Sequence, residues 1–427
     1  MKKVFILSLL PLISLCACET AKESHPEYES YMVNEVKKTF NNEHQILSSK
    51  YIQSVQAFAA DFTKHIQENG KNKVYSPLSI ATCLSMLSEG ALRTAKEELN
   101  NVLHYSGDFT AKEEIQKMLL NVAVDDKKTG TYFDIGQSLW LDDGFGPYVK
   151  QEFVDTLSKY YFAELFTEDL GNPDTAIPFV NYINEKTKNF LNLKQEDFRD
   201  IFSNPLNVAT MLNTIYLKSK WKISFDKKKN FDNIFNKADG STQTVTYMTR
   251  KHEEDKRDYY YKGTDFAIAS LDYCNGFKMQ ILLPNRNTNY FEVLNNSDNI
   301  KALLNWNSLS KKLEFIDYTI PQWDVQDKID LLDKMQSMGL SNAFSYTADN
   351  YDGIMEGFGL YVSSATHEAR VKVDNEGVEA AAYTQITVTG KGIGGPTSID
   401  FRVDRPFMYS ITDQDGLPLF MGTMFSI

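Results

Sequence analysis

The chain has 427 residues, 42% of them hydrophobic, and a formal net charge of -12 at pH 7. By length alone, about two or three domains with sizeable cores are expected. The acidic balance argues against nucleic acid as the main partner, because phosphate binding requires basic surfaces. The short lysine run at residues 227–229 is interpreted as solvated surface.

The N-terminus has the pattern of a secretory signal. Two lysines follow Met1, and residues 4–15 form an apolar run that is too short to remain as a bilayer span. Residues 15–18 read Leu-Cys-Ala-Cys, which resembles the bacterial lipoprotein signal, in which a small residue precedes the lipidated Cys. Cys18 follows the small Ala17 and fits that position, whereas Cys16 follows a leucine and fits it poorly.

This pattern predicts a lipoprotein signal peptide at residues 1–17, lipidation at Cys18 and a polar tether at residues 18–48. The protein would then be anchored to a bacterial cell envelope, at the outer membrane or cell surface, and contact the membrane only through its lipid. Simple secretion remains the alternative. Only Cys83 and Cys274 stay in the folded body, and two cysteines make no disulfide framework, although a bond between them is not excluded. Cys83 lies in an apolar helical run and is interpreted as a small core residue.

Helices are predicted mainly in the first half of the chain. Residues 51–66 place Ile52, Val55, Phe58, Phe62 and Ile66 at helical spacing. A second helix is predicted after residues 76–77, because proline suits a first helical turn. Further helices are predicted at residues 150–162, 175–191 and 330–338, and Gly339 ends the last of them.

Strand-like runs are denser in the second half. Strands are predicted at residues 133–141, 208–217, 277–283, 313–320, 361–373, 399–403, 407–412 and 417–425. The final two strands flank an Asp-Gln-Asp-Gly turn and are predicted to form a hairpin. This distribution indicates an α+β fold rather than alternating parallel units. The chain has no internal repeat and no long linker, so a single domain at residues 49–427 is predicted.

The motifs of common enzymes and of metal sites are absent from the sequence. None of the six histidines forms a pair at helical ligand spacing, and the sequence contains neither Cys-x-x-Cys nor Gly-x-Ser-x-Gly. Residues 389–396 are rich in glycine but lack the spacing of a phosphate-binding loop, so they are interpreted as a flexible exposed loop. The sequence therefore predicts a protein that is not an enzyme and has no catalytic residues, metal or cofactor.

Five separated motifs resemble those of the serpin family, in the family's order. They read VYSPLSI and MLSEGA at residues 74–80 and 86–91, NTIYLKSKW at 213–221, His367 followed by NEGVEAAA at 375–382, FRVDRPFMY at 401–409, and LFMG at 419–422. Together they cover about residues 50 to 427. The resemblance implies three β-sheets, about nine helices and an exposed reactive loop at about residues 377–398.

The resemblance also implies a mechanism. After a protease cuts the loop, the loop enters the main sheet as an extra strand and carries the covalently attached enzyme to the far end, where the distorted acyl-enzyme cannot complete hydrolysis. The partners implied are serine proteases, and the inhibitor is expected to be a monomer.

The loop has the residue pattern of a potential strand. The side chains at the even-numbered positions are small or β-branched and suit burial in a strand: Val378, Ala380, Ala382, Thr384, Ile386 and Val388. The side chains at the odd-numbered positions are mostly polar and suit exposure: Glu379, Ala381, Tyr383, Gln385, Thr387 and Thr389. Without the resemblance, an ordinary edge strand followed by a flexible loop would explain this pattern.

Gly377 and residues 378–382 match the family's hinge. The small run Ala380 to Ala382 would let the opening sheet accept the first loop residues, and Gly377 would supply the bend. Two positions depart from the family, because inhibitors usually carry Thr or Ser where Val378 stands and a small residue where Tyr383 stands.

The reactive bond is predicted to be Lys391–Gly392. In inhibitory relatives this bond usually follows the fourteenth residue after the hinge glycine, which is Lys391 here. A lysine suits the acidic specificity pocket of trypsin-like enzymes. A loop one residue longer or shorter would shift the bond to a neighbouring residue and suit other proteases.

Other matching residues lie in the main sheet. Ser76, Ser79, Asn213 and His367 match the family's polar cluster where the strands part, although a core histidine without a role in opening is the alternative for His367. Trp221 matches the aromatic residue at the top of the sheet. Where the family often has a Lys-Glu pair, this chain has Gln322 and Asn375.

Two further interpretations compete with inhibition of trypsin-like proteases by a tethered serpin. The first is a non-inhibitory serpin fold used as a surface binding protein. The run Ala380 to Ala382 argues against it, because non-inhibitory members tend to have bulky or charged hinges. The second is a secreted hydrolase, which lacks support because no catalytic triad motif is present.

Overall fold

The computed structural model describes residues 7–16, 38–252, 256–345, 350–377 and 397–427. Nine α-helices lie in these ranges, labelled in chain order: α1 (Ser49–Ile66), α2 (Pro77–Gly90), α3 (Arg93–Val102), α4 (Ala111–Val122), α5 (Gln151–Tyr161), α6 (Ala176–Lys186), α7 (Tyr290–Leu294), α8 (Ser297–Leu304) and α9 (Leu332–Ser337).

The described strands form three sheets. In chain order the strands are β1 (Leu7–Cys16), β2 (Lys73–Tyr75), β3 (Val124–Asp126), β4 (Thr131–Asp142), β5 (Glu164–Glu168), β6 (Asn207–Lys218), β7 (Phe231–Asn236), β8 (Thr242–Arg250), β9 (Asp258–Lys262), β10 (Phe266–Asp272), β11 (Lys278–Pro284), β12 (Lys312–Glu314), β13 (Ile316–Pro321), β14 (Trp323–Asp330), β15 (Tyr361–Val373), β16 (Ile399–Arg402), β17 (Phe407–Thr412) and β18 (Pro418–Met424).

The main sheet has the order β14-β15-β1-β6-β4-β3, with β5 also paired to β4. A second sheet has the order β12-β9-β10-β11-β17-β18-β2, and a third has the order β16-β13-β8-β7. The segment between β15 and β16 therefore links the main sheet to the third sheet. The α+β class, the three sheets and the nine helices of the described residues confirm the predicted fold.

The main sheet is covered on both faces. Helix α2 packs under it, against β6 and β1, and Glu89 is the one residue of this helix that is not buried. A helix apolar on all sides is typical of a core helix. On the other face α6 packs against β6, and a separate apolar cluster includes Trp140 and Phe179. The sheet is thus held between two layers.

Most predicted elements are present, with shifted ends. The helix predicted at residues 175–191 ends at Lys186, and the strand predicted at residues 313–320 is divided into β12 and β13. The predicted C-terminal hairpin is confirmed, since β17 and β18 pair antiparallel. Cys83 is fully buried, as predicted, and no disulfide joins it to Cys274.

Residues 38–48, assigned from composition to the tether, lie against the domain. Lys38 pairs with Asp134, and the Asn41 side chain exchanges hydrogen bonds with the backbone of Asp125. The Glu114 carboxylate accepts the Ser48 N–H at 2.7 Å. The described helices include none with the length and apolar character of a membrane span.

Candidate functional site

At the centre of the main sheet, one strand position lies between β6 and β15, and this position is called the slot. Strands β6 and β15 are not neighbours, because β1 lies between them and pairs antiparallel with both. The two flanking strands therefore run in the same direction. Ile13 of β1 is opposite Ala365 of β15 and Met211 of β6, and all three side chains are buried.

A polar cluster lies beneath this slot. The Ser76 N–H at the start of α2 donates to Nε2 of His367 on β15 at 3.0 Å. The Ser79 hydroxyl donates to Oδ1 of Asn213 on β6, and the Ser79 N–H donates to the Ser76 hydroxyl at 3.0 Å. All four residues are fully buried. The structure therefore brings together the four cluster residues expected from the sequence: one on each flanking strand, Ser79 on α2 and Ser76 at the N-cap of that helix.

Gln137 of β4 extends the cluster and was missed in the sequence. With its amide turned so that Oε1 accepts from Asn213 Nδ2 at 3.2 Å, Gln137 Nε2 donates to the Tyr161 carbonyl at 2.6 Å. Its side chain is buried. Asp134 and Ser138 lie in the same strand, so no local feature of the sequence distinguished Gln137. Its role depends on the partners that a buried amide requires.

The top of the slot is closed by contacts between Trp221 and the chain that follows β15. The Trp221 indole N–H donates to the Asp374 carbonyl at 2.9 Å, and its backbone N–H donates to the Glu376 carbonyl at 3.3 Å. The indole also stacks on Tyr273, with ring centroids 4.1 Å apart. Trp221 therefore anchors the segment that leads from the main sheet into the loop.

Just after β15, the amide side chains of Asn375, Gln322 and Asn230 form a hydrogen-bonded network. Gln322 Nε2 donates to Asn375 Oδ1 at 2.6 Å, so the two amides noted in the sequence are in direct contact. Asn230, which the sequence did not indicate, exchanges hydrogen bonds of 2.9 and 2.7 Å with Asn375. Asn375 is fully buried. A neutral network thus occupies the position of the family's charged pair.

Charged groups surround this amide network. Burial raises the pKa of Asp374, repulsion from Glu376 also raises it, and the Glu376 N–H that donates to its Oδ1 at 3.0 Å opposes the shift. Lys227 forms an ion pair with Glu376. Lys227 is exposed, in agreement with the interpretation of the lysine run as solvated surface, and its side chain also reaches the segment after β15.

Gly377 has a conformation that favours glycine. Its φ is +70°, and a Cβ added there would lie 2.2 Å from the Trp221 nitrogen and 2.7 Å from the Lys220 carbonyl carbon. Both obstacles are backbone atoms, which cannot rotate away. The chain can turn here against Trp221 only because position 377 lacks a side chain.

Several predicted site residues lie outside the described part of the structure. These are Val378, Glu379, Ala380, Ala381 and Ala382 of the hinge, Lys391 and Gly392 of the reactive bond, and the lipidation residue Cys18. Among the residues that are described, no group of three or more His, Cys, Asp or Glu side chains could hold a metal ion.

Comparison with known proteins identifies the relatives of this chain. The family model described as "Serpin (serine protease inhibitor)" matches residues 53–427. Serpin-Z10 of Arabidopsis thaliana is 28% identical over 391 residues, covering 87% of this chain and 97% of that protein.

Solved structures show the same fold. The thermophilic serpin tengpin in its native state superposes with a TM-score of 0.75 at 19% identity, covering 92% of this chain and 98% of that one. Human thyroxine-binding globulin, crystallised with its hormone, gives a TM-score of 0.73 at 23% identity, covering 88% and 98%.

Proposed function

Because the chain belongs to the serpin family, we propose that it inhibits serine proteases as a suicide substrate, with trypsin-like enzymes as its targets. A target protease cuts the loop after Lys391 and forms an acyl-enzyme. The freed loop end then enters the main sheet and carries the enzyme away before deacylation. The chain acts as a substrate that traps an enzyme and is not itself an enzyme.

The observation that supports this proposal is the slot between β6 and β15. Its two walls run in the same direction and receive a ten-residue strand antiparallel to both. A loop that turns back at Gly377, four residues after the end of β15, would enter the slot in that same direction. The polar cluster of Ser76, Ser79, Asn213 and His367 links α2 to both walls, so it can hold them together when the slot is empty.

The loop sequence fits the slot. Burying Val378, Ile386 and Val388 would contribute about 5 to 9 kcal/mol before entropy. This is comparable with a typical domain stability of about 5 to 15 kcal/mol. The small residues Ala380 and Ala382, which follow Val378, would enter early and without steric obstruction. Burial of these side chains would therefore supply a substantial part of the driving force for insertion, against the entropy lost when the loop is ordered.

The second candidate is a non-inhibitory serpin that binds a ligand at the cell surface. Two observations favour it: β1 already occupies the slot, and thyroxine-binding globulin is a structural neighbour. The small hinge at residues 380–382 favours inhibition instead, because a protein that never inserts its loop has no requirement for small side chains there.

We propose further that the protein is lipid-anchored at Cys18 in a bacterial cell envelope, where it protects the cell from foreign proteases. The support is the signal pattern of residues 1–18. The polar segment after Cys18 would space the domain from the membrane.

Incubation of the processed chain with trypsin tests the inhibitory function. The chain should form a covalent complex that survives SDS, because the acyl ester persists when the enzyme is distorted. Lys391→Ala should abolish the complex with trypsin, whereas the matched control Lys391→Arg should retain it, since both basic side chains suit the acidic pocket.

Elastase and subtilisin, tested in parallel, establish the specificity. A complex with elastase alone would place the reactive bond beside Val388 or Thr389 and overturn the trypsin-like assignment. Cleavage of the loop without any complex, by all three enzymes, would favour the non-inhibitory candidate.

A further inference from the structure

The strand that fills the slot comes from the predicted signal peptide. β1 spans Leu7–Cys16, inside the segment 1–17 that processing at Cys18 would remove. The slot that the proposed mechanism reserves for the reactive loop is thus filled, in the unprocessed chain, by the chain's own leader. Loop and leader cannot occupy it together.

The leader makes the contacts of a central strand. It pairs with β15 from Leu7↔Val371 to Cys16↔Tyr361 and with β6 from Leu7↔Leu217 to Cys16↔Asn207. Ile13 is 1% exposed and Leu15 is 0% exposed, and both belong to the main apolar core. Helix α2, which carries Ser76 at its N-cap, packs against this strand.

The fit is nevertheless imperfect. The ladder to β6 has no pairs between Leu9↔Ile215 and Leu12↔Leu212, the interval that contains Pro11. Proline has no N–H to donate, so it interrupts a central strand. The register of the pairing with β15 also shifts after Ser14, and the register of the pairing with β6 shifts after Leu15. Residues 378–388 of the loop contain no proline, so an inserted loop can complete the ladder that the leader leaves broken.

We propose that the slot is a binding site for the chain's own leader and that residues 7–16 act as an internal plug, which keeps the unprocessed chain unable to trap proteases. Hydrolysis of the Ala17–Cys18 bond, with one water, separates the plug from the domain. The plug then loses the high effective concentration of a tethered segment and can leave, so that β6 and β15 close and the loop can enter later. This inference concerns regulation of the slot and rests on the proposed inhibitory function.

The test uses the full chain with intact Met1, verified by mass spectrometry. Ile13→Asp/Leu15→Asp places two carboxylates where buried apolar side chains stand, which expels the strand because unpaired buried charges are strongly disfavoured. Ile46→Asp is the matched control, since Ile46 is 86% exposed and lies outside the slot.

With trypsin, the double variant should form SDS-stable complex at least about tenfold faster than the wild-type full chain, because only molecules with an empty slot are competent. It should also unfold at a lower temperature and bind an added fluorescent peptide of residues 5–17. The Ile46→Asp chain should behave as wild type in all three measurements.

The outcomes separate the two claims. Equal complex formation, equal thermal resistance and no peptide binding in the double variant would overturn the plug. If the variant loses thermal resistance and binds the peptide but neither chain traps trypsin, the plug stands and the inhibitory function fails.

Discussion

At the scale of single residues, Gly377 determines how the chain turns after β15. Its positive φ and the backbone atoms of Lys220 and Trp221 next to its Cα leave no space for a Cβ. The hydrogen bonds that Trp221 donates to Asp374 and Glu376 hold the same turn from the other side. The position is therefore constrained by both conformation and contact.

Gly377→Ala should lower the free energy of unfolding by about 3 kcal/mol, because it adds a backbone clash to the cost of a left-handed alanine. Gly240→Ala is the matched control: Gly240 has φ +81° but nothing within 4 Å of an added Cβ. This control should lose only about 1 kcal/mol. Equal losses in urea unfolding of the two variants would show that the contact with Trp221 has no energetic consequence.

Asp413, in the turn between β17 and β18, should make the stability depend on pH. Its Oδ1 accepts the N–H groups of Asp415 at 3.0 Å and Leu417 at 2.9 Å, but burial, with repulsion from Asp415, raises its pKa to about 7. The folded state then binds this proton more tightly than the unfolded state. The contribution of Asp413 is therefore largest below about pH 4 and is lost as the pH rises to about 7.

Asp413→Asn should flatten the decline in unfolding free energy between about pH 4 and pH 7, a decline on the order of 4 kcal/mol for this group. Asparagine keeps an oxygen acceptor for the two N–H groups and removes the titration. A profile that is the same for Asp413→Asn and wild type would refute the assignment.

The sequence indicated some of these residues and not others, for a physical reason. Ser76, Ser79, Asn213, Trp221 and His367 stand inside recognisable motifs and meet in the structure. Asn230, Lys227 and Gln137 act through partners far away in the chain, so no local pattern revealed them. Polar residues acquire such roles only when the fold brings distant segments together.

At the scale of the elements, β15 and the hinge that follows it carry the proposed mechanism. β15 alternates in burial along most of its length and ends at Val373 beside Trp323 of β14. In residues 378–388, every second side chain, beginning with Val378, is small or β-branched and suits a buried face. The hinge must therefore contain side chains that pass between β6 and β15 without resistance.

Ala380→Arg should convert the inhibitor into a substrate. Arginine at the buried parity would have to lose its hydration in the slot, so insertion slows and the trapped acyl-enzyme is hydrolysed instead. The number of inhibitor molecules consumed per trypsin should rise about tenfold or more. Glu379→Arg, at the exposed parity, should keep near wild-type trapping, and a similar effect of both substitutions would contradict the predicted orientation of the strand.

The elements themselves were predictable where their residues follow a clear period. β17, β18 and α1 are examples, because apolar side chains recur at strand or helix spacing. β14 was not predicted, since its charged residues give it the composition of a surface loop. The apolar run of the leader is compatible with a signal peptide and with a buried strand, and only tertiary context shows where it can pair.

At the scale of the whole molecule, we propose that the processed native fold is metastable. The segment between β15 and β16 connects two sheets, and in the proposed mechanism it becomes a strand only after it is cut. In the proposed mechanism, the polar cluster and the amide network around Asn375 hold β6 and β15 together until then. The same arrangement explains why an occupied slot, as with the leader, would leave the protein inert.

The most direct test is limited cleavage of the processed chain by a metalloprotease. Such an enzyme forms no acyl-enzyme, so it cuts the loop without being trapped. Mass spectrometry should locate the cut near Lys391. If the freed loop inserts, the unfolding midpoint should rise by about 10 °C or more, in line with the burial of Val378, Ile386 and Val388. An unchanged midpoint after cleavage at that position would show that the native fold stores no free energy for trapping.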